Sequence, residues 1–239
     1  HHAWHVLLTG ENTGYYQDYP DPYRDIARAL GSGFIYQGEA SLHRDGKPRG
    51  EPSRGLPPTA FVTFLQNHDQ IGNRAFGDRL ETIAKQAVME AALAITLLAP
   101  MSPMLFMGEE WGSRAPFPFF CDFAGDLAEA VRQGRRREFQ AAYAAHGNEI
   151  PDPLDEATFR SARLDWHELA SPAAQERLSL VRRLLTIRKE CIVPHLTAAR
   201  FGDAGISATG LLWAHWKLGE NGSLMLRANL SEIVVPSPG

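Results

Sequence analysis

Two short stretches of the chain are apolar almost without interruption, and between them apolar positions recur at helical spacing. The first, Phe61 to Leu65, reads FVTFL and is broken only by Thr63. Such a run suits a strand buried on both faces, the habit of parallel sheets. The second, Pro103 to Met107, reads PMLFM. A helix is predicted from Leu80 to about Ala99, with Ile83, Ala87, Ala91, Ala94 and Leu98 on its apolar side and Pro100 as its stop. Strand, helix and strand in that order form a βαβ unit, whose crossover is expected to be right-handed.

Other segments read less sharply. His1 to Leu8 patterns as the tail of a helix ended by Gly10. Asp21 is an N-cap candidate with Pro22 in the first helical position, and that helix should stop at Gly31 and Gly33. Glu11 to Pro22 is a loop with three tyrosines, Tyr15, Tyr16 and Tyr19, which either stack on sugars or pack beneath the loop. Gly38 to Pro58 is a long loop rich in Gly, Pro and Arg. Ser113 to Asp126 is aromatic and loop-like, Asp126 to Ala145 a charged surface helix, and Pro151 to Trp166 irregular. Pro172 leads a long helix, Ala173 to Glu190, with Leu178, Val181, Leu184, Leu185 and Ile187 on one side. After Cys191 the pattern changes to short alternation, Leu211 to Leu218 and Ser223 to Leu230, joined through an Asn-Gly turn. A boundary is expected near Pro194, dividing residues 1–193 from an antiparallel β-domain in 194–239.

Composition narrows the picture only a little. Of 239 residues, 44% are hydrophobic and 22% charged, as in ordinary globular chains. A formal net charge of −4 gives no general attraction to nucleic acid or an anionic membrane. Arg135, Arg136 and Arg137 cluster, but with Glu129 and Glu138 nearby they read as a solvated helix face. Two cysteines, Cys121 and Cys191, make neither a disulfide framework nor a zinc site and suit a reducing, cytoplasmic compartment. The longest apolar run, Ala91 to Ala99, is too short to span a bilayer, and HHAWHVLLTG lacks a signal peptide's basic start.

The chemistry gathers where the two apolar runs end. Asn67, His68 and Asp69 follow the first strand, where α/β barrels place catalytic groups. Asp69 could stabilise developing positive charge or act as a base, and His68 could donate a hydrogen bond to a sugar hydroxyl. The bland alternative is that Asn67 and Asp69 only cap the next helix. Glu109, Glu110 and Trp111 close the second strand. The acids could orient hydroxyls and the indole could stack on a sugar ring, though strand alternation turns one acid away. No dinucleotide fingerprint, P-loop, nucleophile elbow or metal spacing of histidines occurs, so no cofactor or metal is expected. Retaining glycoside cleavage needs a nucleophile and an acid about 5–5.5 Å apart, and on that count the carboxylate inventory is incomplete.

The segment FLQNHDQIGNR, Phe64 to Arg74, resembles the fourth conserved region of the α-amylase family, glycoside hydrolase family 13. The form NHDQIGNR, together with LLTGENTGYYQDY, GFIYQG, LFMGEEWGSRAPFPFFCDF, GRRREF and SARLDW, resembles the malto-oligosyltrehalose trehalohydrolase branch of that family. Branching enzymes are similar overall but usually continue differently after the His-Asp pair. The resemblance implies an α/β fold: the C-terminal part of a (β/α)8 TIM barrel, about two of eight strands, followed by the start of an antiparallel β-domain. Phe61 to Gln66 would be the seventh strand, Pro103 to Met107 the eighth, and Ala173 to Glu190 the eighth helix. The family's nucleophilic Asp and acid Glu would lie upstream of the segment matching His1.

By the same resemblance Asp69 is the third catalytic carboxylate, a transition-state stabiliser. His68 would bind the same sugar and Gln70 and Arg74 the trehalose end, while Asn67, Glu110 and Trp111 are substrate-binding candidates by their place at the strand ends. The implied partner is maltooligosyl trehalose or an α-glucan, with no nucleic acid, membrane, metal or cofactor, in a hydrolase of trehalose biosynthesis. The 239 residues alone would be inactive. The alternatives are an α-1,4-glucan branching enzyme, a non-catalytic glucan-binding module, or a fragment without independent function.

Overall fold

The computed structural model describes residues 1–231. Helix α1 spans His2–Thr9 and α2 Pro22–Ser32, and a long irregular stretch then leads to a two-residue strand, β1, Val62–Thr63. Helices α3 (His68–Gly72), α4 (Leu80–Ile83) and α5 (Gln86–Leu98) precede β2, Ser102–Pro103. Next come α6 (Gly125–Glu138), α7 (Gln140–His146), α8 (Glu156–Ser161) and α9 (Pro172–Ile187). Three strands follow, β3 (Ala199–Ile206), β4 (Leu212–Leu218) and β5 (Gly222–Ala228). Mixed helix and strand, with a parallel βαβ step and an antiparallel meander, is an α/β fold.

Local chemistry sets several of these boundaries as the sequence predicts. Gly10 ends α1 with φ 77°, a left-handed conformation that costs glycine little. The Asp21 side chain accepts from the Arg24 amide and Pro22 sits at the start of α2. Alternation on β4 buries Leu212, Ala214, Trp216 and Leu218 on one face. β4 pairs with β5 from Leu212–Ala228 to Leu218–Gly222, so the turn at 219–221 closes the predicted hairpin.

Compactness divides the chain into two units, and the cuts fall at places other than Pro194. The first comprises His1–Leu65, Ala84–Met104 and the chain from Leu180 onward. In it β1 and β2 run parallel, Val62 opposite Ser102 and Thr63 opposite Pro103. Helix α2 packs on β3 and β4. A side chain at Gly31 would meet the Ala204 methyl at 3.0 Å, and the Trp216 indole donates to the Leu30 carbonyl at 2.8 Å. The polar end of a buried indole thus finds a backbone acceptor at the helix terminus.

The second unit comprises Gln66–Ile83 and Leu105–Ser179. It holds α3, α4, α6, α7 and α8 and two turns that carry the residues of interest below.

Several expectations need correcting. The first apolar run forms a strand of only two residues, the second run supplies only Pro103 to the two-residue β2, and Val62 is 62% exposed rather than buried on both faces. Among the described residues β1 pairs with β2 alone, so one edge of it has no strand against it. The helix predicted from Leu80 to Ala99 is two helices. Gln66 Oε1 accepts the Leu80 amide at 3.1 Å, holding α4 as a separate turn, and α5 starts afresh at Gln86. The stripe α5 buries is Met89, Ala92, Leu93, Ile95, Thr96 and Leu97, not Ala87, Ala91, Ala94 and Leu98. A helix apolar on nearly every side leaves its phase undetermined by sequence.

On α9 and the residue just past it the buried positions are Ala174, Arg177, Val181, Leu184 and Arg188, so two arginines join the stripe where only apolar residues were expected. Arg188 donates to the carbonyls of Leu97, Ala99 and Met101 at 2.9, 2.6 and 2.6 Å. It satisfies acceptors that the end of α5 leaves unpaired. The charged helix predicted over Asp126 to Ala145 breaks at Phe139. Arg135 is not part of a solvated face. Its side chain is 13% exposed, lies over Phe119 and Phe139, and donates to the Gly72 carbonyl at 2.9 Å.

Candidate functional site

All the sequence-predicted site residues lie in the second unit. In the chain they follow β1 and β2 closely. Asn67 adopts an extended backbone and its Oδ1 accepts the Asp69 and Gln70 amides at 2.9 and 3.3 Å. It therefore caps α3, as the bland alternative held for this residue. Asp69 does not cap. It projects from the first turn with His68, the His68 Nε2 3.2 Å from Asp69 Oδ1, and their side chains are 68% and 64% exposed. The cap thus fixes the backbone beneath a solvent-facing imidazole–carboxylate pair.

The rest of α3 is braced from behind. Arg135 holds the Gly72 carbonyl, and the Phe117 amide donates to the Gly77 carbonyl at 2.8 Å. Gly77 has φ +69° and a Cβ there would lie 2.2 Å from Pro118 N, so only glycine fits. Ile71 is buried. Gln70 is half-buried, and its side-chain oxygen lacks a hydrogen-bond partner among the described residues. Arg74 reaches Asp78 Oδ2 at 3.4 Å.

Glu109–Trp111 is a single 3-10 turn between two left-handed glycines, Gly108 and Gly112. Glu109 is fully buried and its Oε2 accepts the Phe106 amide at 2.9 Å. Glu110 is only half-buried, so the two adjacent acids do face differently. Trp111 is buried, its Nε1 3.3 Å from Glu168 Oε2 and its ring 5.2 Å from that of Trp166. The exposed indole of that pair is Trp166, at 66%. The structure therefore groups Asn67, His68, Asp69 and Gln70 on one helical turn, and sets Glu110 and Trp111 on another.

Beneath these turns lies a polar set that sequence reading missed. Gln66 Nε2 donates to both carboxylate oxygens of Glu81, at 3.0 and 2.8 Å. Arg79, with no exposed surface, donates to the carbonyls of Ala115 and Met107 and lies over the Phe106 ring. Arg177 is buried beside Gly112, where a Cβ would meet Arg177 Cγ at 3.8 Å and Glu81 Cγ at 4.0 Å. Burial, and then the charge of Glu81, pushes the Glu109 carboxyl up to about 8. Burial also raises Glu81 and lowers Arg79. A signal was available, since Arg79 and Glu81 flank Leu80, where a helix was predicted to start, but spacing alone does not reveal a partner 15 residues away.

Among the described residues no group of three or more His, Cys, Asp or Glu side chains could hold a metal ion. No helix among them is long and apolar enough to cross a membrane.

Comparison with known proteins gives this turn a context. Malto-oligosyltrehalose trehalohydrolase of Deinococcus radiodurans is 38% identical over 232 residues, covering 92% of this chain and 39% of that protein. The enzyme of the same name from Saccharolobus solfataricus is 40% identical over 191 residues, covering 80% of this chain and 31% of its own. Over most of its length this chain is similar to one portion of malto-oligosyltrehalose trehalohydrolases. A crystal structure from Salmonella typhimurium, provisionally named an alpha amylase, is 45% identical and superposes with a TM-score of 0.89 over all of this chain and 41% of its own. No family model matches. The chain thus spans between about a third and two fifths of the length of the trehalohydrolases it matches. The capped turn of Asn67 to Gln70, the glycine-flanked turn of Glu109 to Trp111 and the buried set between them are therefore features of one portion of a trehalohydrolase-like protein.

Proposed function

We propose that these 239 residues form part of a retaining glycoside hydrolase that cleaves the α-1,4 bond next to the terminal trehalose of maltooligosyl trehalose and releases trehalose. The single observation that carries this is the exposed His68–Asp69 pair on an Asn67-capped turn just after a parallel strand, in a chain whose curated relatives bear the trehalohydrolase name. In this reading the chain is the end of a (β/α)8 barrel, residues 1–193, followed by part of a β-domain, residues 194–239.

Asp69 neither attacks nor protonates. Its charge lies where positive charge grows on the sugar ring, and it favours the distorted, oxocarbenium-like transition state over the bound ground state. His68 hydrogen-bonds the same sugar, within reach of Asp69. Asn67 serves by fixing the turn. Gln70 and Arg74 face the trehalose end, and Glu110 and Trp111 the glucan. The nucleophile and the acid come from other parts of the longer protein, so the 239 residues alone break no glycosidic bond. Two cysteines without a disulfide, one of them exposed, suit a reducing compartment such as the cytoplasm.

The test is a chimera in which these residues replace the 232 matched in the Deinococcus radiodurans enzyme. The chimera should release trehalose from maltooligosyl trehalose, and the isolated chain should release none. New branch points on amylose would establish the branching-enzyme reading instead. Turnover by the isolated chain would overturn the division of labour.

A further inference from the structure

The exposed pair begins two residues beyond a buried one, and that buried residue is held by a carboxyl group. Gln66 is 1% exposed and Glu81 9%. Both oxygens of Glu81 accept from the Gln66 amide nitrogen, and Gln66 Oε1 takes the Leu80 amide at 3.1 Å. Every polar atom of the Gln66 side chain is therefore committed to α4. The next residue, Asn67, commits its own oxygen to the Asp69 and Gln70 amides. Beyond it come His68 and Asp69, which among the described residues have no comparable anchor of their own. Their solvent-facing positions follow from the two residues before them.

We propose that Glu81, acting through Gln66, is a positioning residue for the His68–Asp69 pair. The inference rests on the reading of Asp69 as a substrate-facing carboxylate, although the positioning itself concerns only the turn. Glu81 touches no substrate. It fixes the rotamer of Gln66, and with it the backbone from which the Asn67 cap begins. A carboxyl group suits the task because its two oxygens both accept from one amide group, and the charges of Arg79 and Arg177 act on it. A buried amide facing an apolar side chain would be left unpaired. The turn would then give up its anchor before the rest of the unit unfolds.

The experiment uses the 239-residue chain and a reciprocal exchange. Gln66→Glu alone sets two carboxylates against each other. The double variant Q66E/E81Q restores the pair with its ends reversed, since a carboxylate at position 66 accepts both the Leu80 amide and the amide of the new side chain. Hydrogen exchange is read at the Asp69 and Gln70 amides, with the Met89 and Leu93 amides of α5 as internal controls. Gln66→Glu should speed exchange at Asp69 and Gln70 at least tenfold and leave the α5 amides within threefold. The double variant should return all four to within threefold of the parent chain. If Gln66→Glu does not fold, Glu81→Gln takes its place, and the double variant should exchange several-fold more slowly than it at Asp69 and Gln70.

In the chimera the single change should lower kcat with KM nearly unchanged, and the double variant should recover kcat. The proposal is overturned if the single variant exchanges like the parent, or if the double variant exchanges as fast as the single. Recovered exchange in a chimera that releases no trehalose would leave the positioning intact and sink the functional reading instead.

Discussion

His68 with Asp69, and Glu81 with Glu109, set ionisable side chains in one compact unit under opposite conditions. The first pair is about two-thirds exposed and makes one contact of its own at 3.2 Å. The second pair is buried, surrounded by Arg79, Arg177 and the Gln66 amide. An exposed carboxylate on a capped turn can meet a ligand and contributes little to folding. A buried one is costly unless paired, and when paired it fixes geometry. What separates a candidate catalytic acid from a structural one here is access, since residue type is the same.

The contrast can be broken most severely from the buried side. Arg79→Met removes a cation whose donors hold the Met107 and Ala115 carbonyls, leaving Glu81 less compensated. Denaturant unfolding should show a loss of about 3–5 kcal/mol. A loss below 1 kcal/mol would mean the buried set is not a charge network.

The next effect is one of pH. The Glu109 carboxyl is raised from 4.5 to about 8 by burial and by Glu81, so the folded chain holds a proton that the unfolded chain releases. Stability from this group is full below the unfolded value and is lost as pH rises through the folded one. Linkage puts the loss between pH 6 and pH 9 at about 2.5 kcal/mol. Glu109→Gln should remove most of that slope and make the variant the more stable protein at pH 9. Equal slopes in thermal melts of the two proteins would refute the assignment.

Smaller still is the cap. Asn67→Ala should cost about 1 kcal/mol and speed exchange at the Asp69 and Gln70 amides. Smallest is His68→Ala, which should leave stability within about 0.5 kcal/mol while weakening turnover in the chimera. A large stability loss for His68→Ala would place that ring in the fold rather than at the site.

Much of this was legible in the sequence because it is local. Asp21 and Pro22, Gly10, the alternation on β4 and the Asn-Gly hairpin each act within a few residues, and each appears in the structure. The parallel order of the two apolar runs was also legible, while their length was not, because strand extent depends on neighbours that no local pattern reports. The phase of α5 was undetermined, since most of its sides are apolar. Arg177 and Arg188 were invisible as buried residues, for hydropathy assigns arginine to the surface. Carbonyls far away in the chain bring Arg188 inside. The candidate pair His68–Asp69 was found by motif and place, and its support by Gln66 and Glu81 was not, because that contact crosses 15 positions.

The central claim is that Asp69 contributes chemistry and the buried acids contribute placement. Trehalose release by the chimera and by its Asp69→Asn form, measured together with thermal melting, tests it directly. Turnover should fall by about 10²–10³-fold with the melting temperature unchanged. A variant that keeps turnover within threefold, or loses it only in step with the fold, would contradict the account.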